Sequence, residues 1–274
     1  MTINCKGTLL DLTSPKVMGI INCTPDSFYT GSRKNSSQEI LQSAKKMLEE
    51  GATFIDIGGY SSRPGAEEIS EDEELKRVLP AIEIILKNFP EALLSIDTFR
   101  SKVASESVKA GACIVNDISA GGLDKKIMQV IAEAGVPYIM MHMRGTPQTM
   151  KDLTEYEDLI QELIFYFSEK VEAARKLGIN DLIIDPGFGF SKNIRQNFEL
   201  LSKLQLFKIL ELPLLVGLSR KSTIYKTLDI TAPEALNGTT VLNTLAIQKG
   251  ASILRVHDVK EAVETIKLMQ QLEN

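Results

Sequence analysis

The sequence predicts an α/β fold, a single-domain (βα)8 barrel of the TIM type with parallel strands. Eight short apolar runs of strand length recur along the chain, and stretches with helical spacing lie between them. Several runs are apolar at nearly every position, as in parallel strands that are covered on both faces. An alternating series of this kind also builds open doubly wound sheets, but eight units in 274 residues favour closure. The predicted domain spans residues 1–274.

The elements follow one another in strand and helix order. The predicted strands are Val17 to Ile21, Phe54 to Ile57, Leu93 to Ile96, Ile114 to Val115, Tyr138 to Met141, Leu182 to Ile184, Leu214 to Val216 and Ile253 to Val256. The clearest predicted helices are Ser37 to Glu50, Glu71 to Lys87, Asp158 to Leu177, Pro233 to Lys249 and Val259 to Leu272. Helix C-caps are expected just before apolar runs, at Gly51, Gly111, Gly135, Gly178 and Gly250.

Composition and charge exclude several classes of protein. Hydrophobic residues make up 43% and charged residues 24%, enough for a large core. The net charge of -5 and the absence of Lys or Arg runs argue against nucleic acid as a partner. No stretch approaches the roughly 20 apolar residues of a membrane span. Three widely spaced cysteines without a CxxC disfavour a disulfide framework or a thiolate zinc site, so the cytoplasm is the expected location.

Polar residues stand in or just after each apolar run. In a βα barrel these strand ends meet at one mouth, where such folds place their sites. Asp and Asn are also common in turns and as helix caps, and Asp56 is the weakest candidate because it can bond to neighbouring backbone. The residues concerned are Asn22, Asp56, Asp97, Asn116, His142, Asp185, Ser219, Lys221, Arg255 and His257.

Cations concentrate at the last two strands, where many barrels bind phosphate. Arg255 and His257 are two residues apart and share a strand face, as do Ser219 and Lys221 if the strand extends that far. Arg63, in the loop after the second strand, adds a forked donor for anionic oxygens. The aromatic rings of residues 187–190 are expected at the mouth, against a planar ligand or as loop packing. Motifs of zinc peptidases, P-loop proteins and esterases are absent from the sequence.

Eight segments of the sequence resemble the dihydropteroate synthases, a family of pterin-binding enzymes. They occur in order along essentially the whole chain, which makes the resemblance far more specific than any one motif. The segments are GIINCTPDSF at 19–28, SSRPG at 61–65, SIDT at 95–98, NDI at 116–118, MHMRGTP at 141–147, DPGFGF at 185–190, GLSRKS at 217–222 and RVH at 255–257.

The resemblance implies a transferase of folate biosynthesis. Members of the family condense 6-hydroxymethyl-7,8-dihydropterin diphosphate with para-aminobenzoate and release 7,8-dihydropteroate and diphosphate. The resemblance further implies Mg2+ as the cofactor, competition by sulfonamides for the aminobenzoate site, and a homodimer formed through late helices such as Val259 to Leu272. Nucleic acid and membranes are not expected as partners, on the charge and the missing apolar span described above.

The same resemblance assigns roles to individual positions. Asn22 is implied as the metal ligand. The catalytic residues would be Asn22, Arg63, Lys221, Arg255 and His257. The pterin diphosphate would contact Ser62, Asp97, Asn116, Asp185, Lys221, Arg255 and His257, and para-aminobenzoate would contact Phe28, Ser62, Pro64, Phe190 and Ser219.

The chain departs from the family pattern at three positions. Tyr60 stands where Glu or Gln is frequent, Ser62 where Thr is usual, and Cys23 replaces an aliphatic residue. These departures bear on loop detail and on sulfonamide affinity.

Two other functions stay open at this point. A methyltetrahydrofolate-type pterin-binding methyltransferase would not need the cation cluster of Arg63, Lys221, Arg255 and His257. A catalytically silent pterin-binding protein is disfavoured by the intact residues Asn22, Asp97, Asp185 and Lys221.

Overall fold

The computed structural model of the protein describes residues 1–23, 33–61 and 68–272. Its strands are β1 (Thr2–Cys5), β2 (Thr8–Asp11), β3 (Lys16–Asn22), β4 (Phe54–Gly58), β5 (Leu93–Asp97), β6 (Ile114–Asp117), β7 (Tyr138–Met141), β8 (Leu182–Asp185), β9 (Leu215–Val216) and β10 (Ile253–Val256). Its α-helices are α1 (Arg33–Glu49), α2 (Glu71–Asn88), α3 (Ser101–Lys109), α4 (Ile127–Ala134), α5 (Leu159–Lys176), α6 (Ile194–Ser202), α7 (Ser222–Tyr225), α8 (Leu236–Gln248) and α9 (Val259–Gln270).

Strands β3 to β10 form one parallel sheet that closes into a barrel. The hydrogen-bonded order is β8-β7-β6-β5-β4-β3-β10-β9, and a parallel bridge between Ile184 and Leu214 joins its two edges. All eight predicted barrel strands are therefore confirmed, and the open doubly wound alternative is excluded. The register places the strand ends side by side, with Asn22 opposite Gly58, Gly58 opposite Asp97, and Asp97 opposite Asn116.

The predicted helices are present, with ends shifted by a few residues. The five glycines proposed as helix ends all have positive φ, from 63° at Gly135 to 111° at Gly111, a conformation that suits glycine. The last predicted helix before the final strand is interrupted, because residues 232–234 form a separate 3-10 turn before α8 begins at Leu236. Helices α3, α4, α6 and α7 were given no bounds from the sequence, although Gly111 and Gly135 correctly marked the ends of α3 and α4; four to nine residues give too few turns for a periodic apolar pattern to stand out.

The N-terminal hairpin β1-β2 was also not predicted. Its strands pair antiparallel, and the buried side chains of Ile3, Cys5 and Leu12 pack against residues near the starts of the barrel strands, such as Met18 and Phe54. The hairpin therefore covers the end of the barrel opposite the polar strand ends. Among the described residues, no helix is both long enough and apolar enough to cross a membrane.

Candidate active site

The polar strand ends converge on a buried ion-pair cluster centred on Arg255. Its Nε donates to Asp56 Oδ2 at 2.6 Å, and its Nη2 donates to Asp97 Oδ2 at 2.6 Å. Asp56 lies within β4, Asp97 ends β5, and Arg255 lies within β10, so three strands contribute one residue each. The cluster places a planar guanidinium and a carboxylate at the barrel mouth, with 18–20% of the side-chain surface of Arg255 and Asp97 exposed.

Asp56, the weakest candidate on sequence grounds, holds the centre of this cluster. It is fully buried, and its Oδ2 also accepts a hydrogen bond from Asn116 Nδ2 at 3.0 Å. One carboxylate oxygen thus orients both a guanidinium and an amide. The other oxygen, Oδ1, has no hydrogen-bond partner among the described residues. Asp56 bonds to side chains of the site, and the backbone role considered for it from the sequence is wrong.

Burial and charge shift the acid-base properties of the cluster. Burial raises the pKa of Asp97 to about 7, although Arg255 opposes that shift. Burial by itself would lower the pKa of Arg255, but Asp56 and Asp97 outweigh it and raise that pKa. The guanidinium therefore stays charged at any working pH, and the Asp97 carboxyl is easier to protonate than an exposed one.

A second group surrounds Lys221. Its Nζ donates to the backbone oxygen of Phe188 and lies 4.8 Å from the ring centroid of Phe190. Burial lowers the pKa of Lys221 to about 8, while Asp185 opposes the shift. Burial raises the pKa of Asp185, with Lys221 and the backbone N-H of Gly187 lowering it in turn. Lys221 and Asp185 thus favour each other's charged form across the mouth, beside an aromatic ring, although no ion pair within 4.0 Å joins them in the described residues.

Asn22 and the pair of Ser219 and His257 stand at neighbouring strand ends. Asn22 ends β3. Its Oδ1 and the Oδ2 of Asp97 both face Gly58: a Cβ added to that glycine would lie 3.9 Å from the Asn22 oxygen and 3.7 Å from the Asp97 oxygen. Ser219 Oγ lies 3.1 Å from His257 Nδ1 and accepts from the His257 backbone N-H at 3.2 Å. Asn22 is half-buried, Ser219 is buried and His257 is exposed at the rim.

The strand before Ser219 and Lys221 ends earlier than their proposed shared face requires. β9 stops at Val216, and Arg220 has a positive φ of 53°, so residues 217–221 form a turn rather than a strand. The turn directs Arg220 away from the site, where it forms two 2.8 Å bonds with the carboxylate of Asp258. The alternation predicted for a continued strand is therefore wrong, although Lys221 and Ser219 both reach the mouth.

The two rings of residues 187–190 have different environments. Phe188 is fully buried in the main core, contrary to the expectation that both rings lie at the mouth. Phe190 is partly exposed and packs against a methionine-rich apolar cluster that includes Met141 and Met143. Of the two rings, Phe190 is therefore the one that offers a planar apolar surface beside Lys221.

Four of the positions implied by the resemblance, Phe28, Ser62, Arg63 and Pro64, lie outside the described residues. Of the unusual residues, Tyr60 is buried, contacts Phe99 edge to face at 5.3 Å, and accepts a hydrogen bond from Gln148 Nε2 at 2.9 Å. Cys23 is buried, and desolvation raises its pKa to about 12. Both side chains therefore have packing roles, Cys23 just before residues 24–32 and Tyr60 just before residues 62–67.

Two residues beside the site were missed by sequence analysis. Lys192 is buried, and its Nζ contacts His142 Nδ1 at 3.1 Å. Asn197, on α6, accepts from the backbone N-H of Gly189 at 2.7 Å. A lysine between two short elements and an asparagine inside a helix carry no distinguishing pattern, so only the fold brings them to the loop.

Comparison with known proteins agrees with this geometry. A family model described as pterin binding enzyme matches residues 18–257, which is most of the chain. The chain belongs to the pterin-binding enzyme family. It is 44% identical to the dihydropteroate synthase of Escherichia coli K12 over 272 residues, covering 98% of this chain and 96% of that protein. The match to the Bacillus subtilis dihydropteroate synthase is 43% over 260 residues, covering 94% and 88%.

Solved structures of family members superpose over the full length. A Yersinia pestis dihydropteroate synthase with a sulfonamide drug has a TM-score of 0.93 and 42% identity, covering 100% of this chain and 99% of that one. The Xanthomonas albilineans dihydropteroate synthase in complex with 7,8-dihydropteroate has a TM-score of 0.90 and 35% identity, with the same coverage. Within its family the chain therefore groups with the dihydropteroate synthases, transferases of folate synthesis. The matches support this reading over the methyltransferase and silent alternatives.

Proposed function

We propose that the barrel mouth binds 6-hydroxymethyl-7,8-dihydropterin diphosphate and para-aminobenzoate and joins them into 7,8-dihydropteroate, as the dihydropteroate synthase reaction requires. The observation that carries this proposal is the gathering of carboxylates and cations in one mouth: Asp56 and Asp97 bond to Arg255, and Asp185 and Lys221 lie close enough to shift each other's pKa. Such a mouth offers acceptors for a heterocycle and positive charge for a leaving diphosphate. The whole chain, residues 1–274, is proposed to serve as a single pterin-binding domain.

The pterin is assigned to the inner part of the mouth. Asp97, Asn116 and Asp185 would bond to its polar edge, since carboxylate and amide oxygens suit ring N-H and amino donors. The guanidinium of Arg255 would lie against the ring face, which its planar shape favours. Lys221 would contact a ring acceptor with the same ammonium that now bonds to Phe188 O.

The diphosphate is assigned to the rim, near Arg255 and His257. Ser62 and Arg63 belong to the same proposed group. Cations placed where charge develops stabilise the departing oxygen, and one such donor is worth about 3–4 kcal/mol in other enzymes. The chain's task at this step is to hold the leaving group and to keep water out.

Magnesium is proposed as the cofactor, bound mainly by substrate and water. Among the described residues, no three His, Cys, Asp or Glu side chains gather in a way that could hold a metal. Magnesium in phosphate-processing sites usually keeps several waters and takes only one or two protein oxygens. The half-buried amide oxygen of Asn22 near Asp97 fits that minimal role. When bound, the ion would neutralise negative charge on the diphosphate.

The aminobenzoate is assigned to the outer mouth, beside Phe190 and Ser219, together with Phe28, Ser62 and Pro64. The carbon-oxygen bond to the diphosphate breaks early, and the amine nitrogen then attacks the electron-poor methylene carbon and loses its proton. This step needs positioning and charge stabilisation, and no covalent nucleophile. A Xanthomonas albilineans relative has been solved with 4-aminobenzoic acid, and the Yersinia pestis relative with a sulfonamide, which supports the same competition here.

A cytoplasmic homodimer is the proposed assembly. The three cysteines are free and buried, which suits a reducing compartment. The late helices present exposed apolar side chains, Val241 and Leu245 on α8 and Leu268 on α9. Burying such side chains against a second copy is favourable. Light scattering of the purified protein should give a mass of twice that of the chain, and a monomer mass at micromolar concentration would contradict the assignment.

Binding calorimetry tests the assigned roles. Pterin diphosphate with Mg2+ should bind the wild-type protein, and Asp185→Asn should weaken that binding strongly because an acceptor of the pterin edge becomes partly a donor. Asp181→Asn, immediately before the same strand, provides the matched control. Equal affinities of all three proteins would remove Asp185 from the pterin site.

A further inference from the structure

We propose that Lys192 is a positioning residue for the pterin site. Its buried ammonium holds residues 187–190, called here the glycine loop, in the shape that presents Asp185, Phe190 and Lys221 to the substrate. The inference rests on the proposed function, because it concerns how that site is kept in shape. Lys192 itself touches no proposed substrate group.

All three N-H bonds of the Lys192 ammonium have an acceptor. Nζ lies 3.1 Å from His142 Nδ1, 3.1 Å from Gly187 O and 3.0 Å from Phe190 O. An ammonium has three donors and no acceptor capacity, so this set satisfies it completely. The two carbonyls belong to the first and last residues of the glycine loop, and one cation therefore joins both ends.

Burying the Lys192 ammonium has a desolvation cost that its hydrogen bonds to the glycine loop must offset. The residue is 7% exposed, and within the described part of the chain it forms no salt bridge. Burial lowers its pKa, with Asp185 opposing that shift. A buried charge is tolerated only when it is fully hydrogen-bonded, and an apolar side chain of the same length would avoid the desolvation cost. Stability alone therefore does not account for a lysine here.

His142 is matched to this cation. When Lys192 is protonated it can only donate, so His142 Nδ1 then accepts and a neutral ring carries its proton on Nε2. Burial, and after it the charge of Lys192, lowers the pKa of His142 well below its ordinary value. The His142 backbone N-H also donates to Asp185 O at 3.0 Å, so the acceptor of Lys192 is fixed to the strand that carries Asp185.

Other polar groups of the glycine loop bond to Asp185, Lys221 and Asn197. Gly187 N-H donates to Asp185 Oδ1 at 2.8 Å, which fixes the carboxylate and leaves its second oxygen for a ligand. Lys221 donates to Phe188 O, and Asn197 accepts from Gly189 N-H. The loop is thus bonded by two lysines, Lys192 at the carbonyls of Gly187 and Phe190 and Lys221 at the carbonyl of Phe188. Loss of the Lys192 bonds would free the carbonyls of Gly187 and Phe190 together. The Asp185 carboxylate, which is bonded to Gly187 N-H, would move with them.

The test compares Lys192→Met with the wild-type protein. Methionine keeps the length of the side chain and removes all three donors. The dissociation constant of pterin diphosphate, measured by calorimetry with Mg2+, should rise about 10- to 100-fold, and kcat at saturating substrates should fall much less. Lys170→Met is the control, since Lys170 is half-buried over the Tyr166 ring and does not contact the loop. Its affinity should equal that of the wild type.

A second pair of variants decides the matter if Lys192→Met does not fold. His142→Asn retains an acceptor oxygen near the position of Nδ1, whereas His142→Leu of similar size has none. Only the leucine variant should lose pterin affinity at matched thermal stability. Equal affinity of Lys192→Met and wild type, or of the two His142 variants, would overturn the role of Lys192. Failure of the wild-type protein itself to bind pterin diphosphate would instead overturn the proposed function.

Discussion

At the scale of single residues, Arg255 has both a structural role and a proposed binding role. It neutralises the buried carboxylates of Asp56 and Asp97, and it is proposed to face the pterin and its diphosphate. A cation already paired with two carboxylates is held rigidly, which suits a site that must stabilise charge without reorganising. Its removal therefore affects folding as well as binding.

A pair of substitutions separates these duties. Arg255→Met should lower the free energy of unfolding by about 3 kcal/mol or more, because two buried carboxylates lose their partner. Adding Asp56→Asn should recover part of that loss, since one unpaired charge is removed. Urea unfolding of the two single variants and the double variant measures the coupling. Strictly additive losses would contradict an ion pair that matters to stability.

Lys221 predicts the alkaline limit of activity. Burial brings its pKa from 10.5 down to about 8, so its ammonium is lost as the pH rises through 8, while exposed lysines stay charged. The kcat/KM for pterin diphosphate, which reports ionisations of the free enzyme, should therefore decline near pH 8, beyond the step near pH 7 that the buried Lys192 contributes. The effect on folding has the opposite sign: between about 8 and 10.5 the unfolded chain binds more protons, so this lysine makes the folded state more stable as the pH rises.

The assignment is checked by a pH profile of Lys221→Arg. A guanidinium stays protonated throughout, so the remaining activity, whatever its level, should lose its decline near pH 8. An unchanged decline in the variant would assign the titration to another group.

At the scale of elements, the glycine loop depends on one backbone position. Gly187 has a positive φ of 73°, and a Cβ there would lie 2.1 Å from the carbonyl oxygen of His142. A backbone atom cannot yield as a flexible side chain can, so the loop must move if Gly187 is replaced. The neighbouring strand ends would then lose their fixed relation to Asp185.

Gly187→Ala is therefore expected to abolish pterin binding and to destabilise the fold. Gly178→Ala is the matched control, since Gly178 also has a positive φ, 87°, but an added Cβ meets nothing within 4 Å. The control should cost only about 1–2 kcal/mol of backbone strain and keep full activity. Thermal melts and pterin affinities of both variants give the comparison. Similar behaviour of the two would show that strain, and not the contact with His142, determines the effect.

At the scale of the whole molecule, the barrel separates stability from chemistry. The hairpin β1-β2 covers the end of the barrel opposite the polar strand ends. Ile3, on β1, and Leu12, just after β2, are buried between the hairpin and the barrel. Truncating a buried aliphatic side chain to alanine costs about 2–5 kcal/mol. Ile3→Ala and Leu12→Ala should each lower the free energy of unfolding by that amount and leave both KM values unchanged. A changed KM in a variant that is still folded would argue that the two ends are coupled.

The same scale shows how far the sequence alone reaches. All eight barrel strands and the convergence of Asp97, Asn116, Asp185 and Arg255 follow from apolar runs and from what stands at their ends, because barrel topology brings those ends together. The hairpin and the bounds of the short helices do not follow, since so few residues show too little periodicity. The roles of Asp56 and Lys192 come from long-range contacts. Asp56 bonds to Asn116, 60 residues away in sequence, and Lys192 contacts His142, 50 residues away, and no local sequence pattern encodes either contact.

The central claim is that this mouth joins a pterin to an arylamine. The most direct measurement is diphosphate release from 6-hydroxymethyl-7,8-dihydropterin diphosphate by the purified protein, with para-aminobenzoate and Mg2+ each present or omitted. The account predicts release that requires the amine and yields one dihydropteroate for each diphosphate. Binding of the pterin diphosphate without release in the complete mixture would contradict it.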